Sequence, residues 1–275
     1  MDTFRDALLA AYRERPCQVL PNALWKTLAE IPNYTCTFAV DNGHTLDCHS
    51  PRLTHNAQRA PRVTHLQMLR DDALLLYWNR ERRPPDFSAT MWASMNFALL
   101  HADFATATPA AASREAYFRL RHNLDTVPNV VLPPGYRFTS AGIAREATAI
   151  AGFIAQCYDN VAPDAGAVRT WSRRPVHDPR LAFWIVDTTQ DRPAALALSD
   201  FDAHVPEVSL EWIQVHPDYR RRGLGTALVQ ETLSRARGRA AFATVSGQIH
   251  NPTNPQGLYR RCGFHGDDVW YVLRR

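Results

Sequence analysis

Lysine is almost missing from this 275-residue sequence: of its 31 basic residues only Lys26 is a lysine, and the rest are arginine. A GC-rich genome explains that bias more simply than avoidance of self-modification. Either way, the second half holds no lysine, which excludes a phosphate loop of the Gly-Lys-Ser/Thr type there. No run of about 18 apolar residues escapes charged or strongly polar breaks, so no transmembrane helix is expected. The opening segment MDTFRDALLAAYRERP carries acids early and its apolar stretch is short, so neither a signal peptide nor a transit sequence is expected. Five cysteines, Cys17, Cys36, Cys48, Cys157 and Cys262, form an odd, unpatterned set. That argues against a secreted disulfide framework and for a reducing, cytoplasmic setting. A net charge of +4 is too small to call for a nucleic-acid or membrane partner. No internal repeat or low-complexity tract is present.

What remains is an ordinary globular composition, 45% hydrophobic and 21% charged, in a chain long enough for one large domain or two small ones. Small residues at 106–112 and prolines between Val127 and Gly135 interrupt the chain. We therefore expect an N-terminal α+β domain over 1–125, of unassigned function, and a second domain over 126–275. The first is read as helices at 3–14 and 22–31 and a hairpin of Tyr34–Val40 and His44–Cys48 through Asp41-Asn42-Gly43. A strand at 73–78, an apolar helix at 88–104 and a connector helix from Ser113 to Leu124 follow. Cys36, His44, Cys48, His49 and His55 match no short paired-ligand spacing, so no metal is expected. The second domain reads as a strand at 136–139, helices at about 142–158 and 164–173, and three strands at 181–187, 194–200 and 208–215. Short intervals predict that these three pair as an antiparallel meander. A helix at 225–237 ended by Gly238, a strand at 241–246, a short helix at 255–262 and a strand at 269–273 complete it.

The informative segment is Glu207-Val-Ser-Leu-Glu-Trp-Ile-Gln-Val-His-Pro-Asp-Tyr-Arg-Arg-Arg-Gly-Leu-Gly-Thr226. A strand, a glycine loop and a helix start in that order direct unpaired backbone N–H groups and the positive end of a helix dipole to one point. Glycine lets a phosphate approach the backbone. The loop is therefore an anion site suited to a pyrophosphate. Leu228 stands where a dinucleotide fingerprint would need a third glycine or alanine.

Arg220-x-x-Gly223-x-Gly225 resembles the acyl-coenzyme A loop of the GNAT superfamily of N-acetyltransferases, and Val215-His-Pro217-Asp-Tyr-Arg-Arg-Arg-Gly223 resembles the approach to that loop. Asn254-Pro-Gln-Gly-Leu-Tyr259-Arg-Arg-Cys-Gly263-Phe264, about 35 residues on, resembles the family's second motif. The resemblance covers roughly 136–275. It implies a GNAT-like, mostly antiparallel mixed sheet flanked by helices, with acetyl-CoA as cosubstrate and no metal. By it, the N–H groups of Arg221, Arg222, Gly223, Leu224, Gly225 and Thr226 hold the pyrophosphate, with Arg220, Arg221 and Arg222 at the rim. The backbone of Ile213 and Val215 pairs with the pantetheine arm, Asn254 contacts the coenzyme, and Tyr259 stands near its sulfur as general acid. Asn254 reads equally well as an N-cap, Tyr259 as packing, and the arginines as a solvated charge run.

Acetyl transfer to an amine needs one base, one acid and an N–H near the carbonyl oxygen. A glutamate on the strand before the loop often serves as base in the resembling family. Glu211 is the first choice and Glu207 the second, both on one face with Ser209 unless a bulge intervenes. Asp200 and Asp202 are placed to collect a cationic amine, and Tyr158, Trp171 and Trp184 are candidate walls of the acceptor cleft. Cys262 reads as a buried small residue. The expected function is N-acetylation of a primary amine on a small molecule by direct attack, with a homodimer left open. Protein or peptide acetylation and a non-catalytic acetyl-CoA-binding regulatory module are the alternatives.

Overall fold

The computed structural model describes residues 3–41, 45–47, 62–107, 113–158 and 161–275. The chain opens on α1 (Phe4–Glu14), started by the Thr3 hydroxyl accepting the Asp6 N–H at 3.2 Å. Phe4, Ala7, Leu8, Ala11 and Tyr12 form its buried stripe. After it come α2 (Pro16–Val19), α3 (Leu24–Glu30), β1 (Thr35–Val40), β2 (Thr45–Asp47), β3 (Val63–Arg70), β4 (Ala73–Asn79), α4 (Ala89–Ser94), β5 (Phe97–His101) and β6 (Ser113–His122). The second half runs β7 (Tyr136–Ser140), α5 (Ala147–Cys157), α6 (Ala165–Trp171), β8 (His177–Asp187), β9 (Arg192–Asp202) and β10 (Glu207–Val215). It ends with α7 (Leu224–Ala236), β11 (Phe242–Gln248), α8 (Pro255–Arg261) and β12 (His265–Arg274). The fold is α+β, with mostly antiparallel strands flanked by helices.

The chain forms two compact units. The first comprises Met1–Leu120, Ser246–Thr253 and Gly266–Arg275; the second comprises Arg121–Val245 and Asn254–His265. Unlike a single cut near residue 125, this division returns two late segments to the first unit. In the second unit the strand order is β11-β10-β9-β8-β7. The expected meander of β8, β9 and β10 is present, with β7 antiparallel to β8 and β11 parallel to β10. On one sheet face Trp184, Leu196 and Leu198 pack against Ile150 and Ile154 of α5 and Val168 of α6. The other packs Phe183, Ala195 and Ala197 against Leu224, Ala227 and Leu228 of α7. Each fully buried leucine or isoleucine contributes about 1.5–3 kcal/mol. Gly238, at φ +76°, follows α7 as expected.

The first unit orders its strands β2-β1-β3-β4-β5-β12-β6. Here two expectations fail. The helix over 88–104 is cut short: α4 ends at Ser94, and Phe97–His101 is a strand paired antiparallel with Trp270–Arg274. An unbroken apolar run fits a buried strand as well as a helix, and a distant partner decided it. The connector helix from Ser113 is strand β6. Tyr117 and Leu120 are spaced for a helix, but Leu124 lies beyond the strand at φ +65°. Phe118 instead lies where a Cβ on Gly247 would come within 2.7 Å of its ring. Residues 42–44, with most of the 106–112 stretch and His44, Cys48, His49 and His55, fall outside the described residues. Among the described residues no three metal-ligating side chains cluster, and no helix is long and apolar enough to cross a membrane.

Candidate active site

Strand β10 carries the site. Its parallel pairing with β11 runs from Glu207↔Phe242 to Leu210↔Val245, whereas its pairing with β9 continues to Val215↔Ala195. Beyond Leu210, β10 therefore keeps its β9 neighbour after its β11 pairing has ended. His216 donates its N–H to Ala194 of β9 at 3.0 Å. Strand alternation then turns the backbone groups of Ile213 and Val215 away from β9, towards that open edge. Their side chains pack on the α7 side of the sheet.

The loop after β10 is built to leave donors unused. Arg221 sits at φ +64° and Gly223 at φ +83°. Gly223 starts α7 without a side-chain cap, and the first helical hydrogen bond runs from Ala227 N–H to Gly223 O at 3.1 Å. The N–H groups of Leu224, Gly225 and Thr226 thus point out of the helix start. A Cβ on Gly225 would lie 3.2 Å from Leu258 and 3.7 Å from Val215, so glycine there answers a packing need and not a dihedral one. The three arginines do not form a uniform rim. Arg220 donates to Cys157 O at 3.3 Å, and Arg222 donates to Asp218 O at 2.9 Å and to the Tyr136 hydroxyl at 3.2 Å. Arg222 also lies over the Tyr219 ring.

The second motif forms α8. Asn254, at φ +49°, caps it by accepting the Gly257 N–H at 3.1 Å, with Pro255 in the first turn. The capping reading of Asn254 is realised in this geometry. Tyr259 is buried and meets Phe264 edge-to-face at 5.7 Å; burial pushes its phenol above the ordinary tyrosine range. Gly263, at φ +94°, has no room for a side chain, because a Cβ would stand 2.7 Å from His122 Nε2. His122 accepts the Leu124 N–H at 2.9 Å, and burial pushes its imidazole below the usual histidine range.

Residues 179–266 match the acetyltransferase (GNAT) domain family. Residues 179–266 form a GNAT-superfamily domain. Among solved structures the chain is similar to a GCN5-related N-acetyltransferase from Sphaerobacter thermophilus, at 14% identity, covering 78% of this chain and 77% of that one, with a TM-score of 0.60. An acetyltransferase from the GNAT family of Colwellia psychrerythraea is similar over 98% of this chain and 96% of its own, at 13% identity and a TM-score of 0.59. No match was found among curated proteins.

In this GNAT domain the proposed bases are separated by a bulge. The register between β10 and β9 slips between Leu210 and Trp212, leaving Glu211 as the extra residue. The simple alternation expected for Glu207, Ser209 and Glu211 is therefore broken, yet the Ser209 hydroxyl still donates to Glu211 Oε1 at 2.8 Å. Glu211 is partly exposed. Glu207 is fully buried and receives the Thr244 hydroxyl. Asp200 and Asp202 are also buried; Arg174 lies 3.8 Å from Asp200, and Asp202 accepts the His204 N–H at 2.9 Å.

The three aromatic residues expected at the acceptor cleft do not share one environment. Trp184 is core, donating its indole N–H to Glu146 at 2.8 Å. Burial opposes ionisation of Glu146, but hydrogen bonds from Arg145 and Trp184 hold it below the usual glutamate range. Trp171 instead stacks on Trp212 at 5.3 Å, and Tyr158, 39% exposed, meets Trp212 edge-on at 6.3 Å. Trp212 was not singled out from sequence. Its strand position put it opposite Glu211 by alternation, and only the bulge turns it to the α5/α6 side. Cys262 is fully buried, with its thiol pushed up to about 11 by burial.

Proposed function

We propose that the chain transfers the acetyl group of acetyl-CoA to a primary amine of a small molecule by direct attack. The observation that carries this reading is the uncapped start of α7 behind Gly223, beside the open edge of β10. Donors at a helix N-terminus suit a pyrophosphate, and a free strand edge suits an amide-bearing arm added like another strand. The backbone of Arg221 through Thr226 would hold the first, and Ile213 and Val215 the second. Asn254 contributes by fixing the start of α8.

Glu211 is the base in this reading. It is accessible, and the Ser209 hydroxyl orients it. The amine nitrogen loses a proton to Glu211, directly or through water, and bonds to the acetyl carbon. The carbon–sulfur bond breaks, and the sulfur takes a proton from Tyr259. A phenol with a raised pKa stays protonated until that moment. Glu207, with no exposed surface, supports the strand from behind. Asp200, Asp202, Tyr158, Trp171 and Trp212 favour a cationic acceptor with an apolar portion.

Free thiol release from acetyl-CoA, measured over a panel of amines and lysine peptides, tests the reading. Turnover with a small amine is expected, and Glu211→Gln should slow it by about 10²–10⁴. Turnover with peptides alone would make the acceptor a protein. Tight acetyl-CoA binding with no turnover on any acceptor would leave a binding module.

A further inference from the structure

The second unit holds a cavity of about 550 Å³ whose lining includes Ser140, Gly142, Arg145, Arg180, Arg235 and Arg239. We infer that this cleft binds a small phosphate-bearing anion at a site distinct from the coenzyme loop. The two lie at opposite ends of α7, which at 1.5 Å per residue spans roughly 18 Å from Leu224 to Ala236.

Four guanidinium groups line the cleft and no carboxylate does. Their acidic partners are not among the lining residues. Arg145 pairs with Glu146 at 2.7 Å, Arg235 with Glu231 at 2.7 Å, and Arg180 and Arg239 share Asp178. Four positive charges against three negative leave a local surplus of one. The negative end of α7 offsets about half of that. Each guanidinium offers five N–H donors in a flat fork, and these pairings engage only some of them. The remainder suit the oxygens of a phosphate.

The cleft has a packed wall and an exposed one. Arg235 lies 4.0 Å from the centre of the Phe183 ring and donates to Arg180 O at 2.8 Å. Arg239 lies over Phe201 at 4.9 Å. Their positions are set before any ligand arrives, which lowers the ordering cost of binding. Arg145 and Arg180 are 79% and 66% exposed, each held by one carboxylate and open to solvent on its other side. Gly142 lets the Arg145 guanidinium lie against the backbone, where a Cβ would stand 3.0 Å from its nearest nitrogen. The volume falls within the ordinary range for small-ligand sites.

Inorganic pyrophosphate is the probe, and its dissociation constant by calorimetry and its effect on Tm are the readouts. The full chain should bind it, and Arg145→Gln/Arg180→Gln should weaken binding by about tenfold while leaving the unliganded Tm nearly unchanged. Gly225→Val, or Arg221→Gln if that variant does not fold, should bind pyrophosphate at this cleft as the unaltered chain does. No binding by the unaltered chain, or equal binding after the double substitution, overturns the proposal. Loss of binding in the loop variant overturns it too, because the probe then reads the coenzyme loop. The acetyl-transfer reading is tested separately, by acetyl-CoA.

Discussion

The two units carry the same local plan with opposite outcomes. In the second, the hairpin β9-β10 leads through α7 to a parallel β11; in the first, the hairpin β3-β4 leads through α4 to a parallel β5. What differs is the connection. Between β10 and α7 stands Gly223, at a helix start without a side-chain cap, and Gly225 follows in the first turn. Between β4 and α4 stand Pro84 and Pro85 and no glycine, and the Ser88 hydroxyl caps the six-residue α4 by accepting the Met91 N–H at 3.1 Å. Its approach is tied down by Arg80, bidentate on Glu14 at 2.8 and 2.7 Å, and by the Tyr77 hydroxyl on Arg83 O at 2.9 Å. Only one of the twelve glycines, Gly43, precedes residue 135. A strand-helix-strand crossover is thus a scaffold, and in the function proposed above it serves as an anion site only where the chain withholds its own capping oxygen and its Cβ atoms.

This contrast can be broken most sharply at Gly225. Valine there must displace Leu258 and would stand in the path of a phosphate, so acetyl-CoA affinity measured by calorimetry should fall by about 10²–10³. The unaltered chain should take up one coenzyme per chain; two would mean that the capped crossover is also a site. A smaller effect is expected from Tyr259→Phe, which should lower kcat about 10–100-fold with little change in coenzyme affinity. A parallel loss of affinity would assign Tyr259 to packing.

Smaller again is an alkaline effect that reports on the second unit. The Cys262 thiol is raised from 9.0 to about 11, so between those values the unfolded chain ionises while the folded one does not. Its stabilising contribution is intact below pH 9 and lost as pH rises towards 11, on the order of 1–3 kcal/mol. Denaturant titrations should show that slope, and Cys262→Ala should flatten it. The smallest change is Ser88→Ala, which should cost about 1 kcal/mol of stability and leave acetyl-CoA affinity within about twofold. A drop in affinity would contradict the contrast.

The parts legible from sequence were those whose causes are local. The order of β10, loop and α7 and the cap before Pro255 each rest on a few adjacent residues. The missed parts are relational. Whether Phe97–His101 is helix or strand depends on Trp270–Arg274, and β6 followed the same rule. The bulge at Glu211 exists only in the register against β9, and with it went the facing of Trp212. Gly263 could be seen as a motif residue, but not that His122 is what fills the space beside it.

Strand β12 has a consequence for how the protein comes into being. It lies between β5 and β6 in the first unit, although more than a hundred residues separate it from either in sequence. Residues 1–120 made alone would therefore leave β5 with a bare hydrogen-bonding edge, an invitation to pair with another molecule. During synthesis the first unit must wait, with that edge open, until nearly all of the second has been made. The two halves share a folding schedule even where they differ in chemistry.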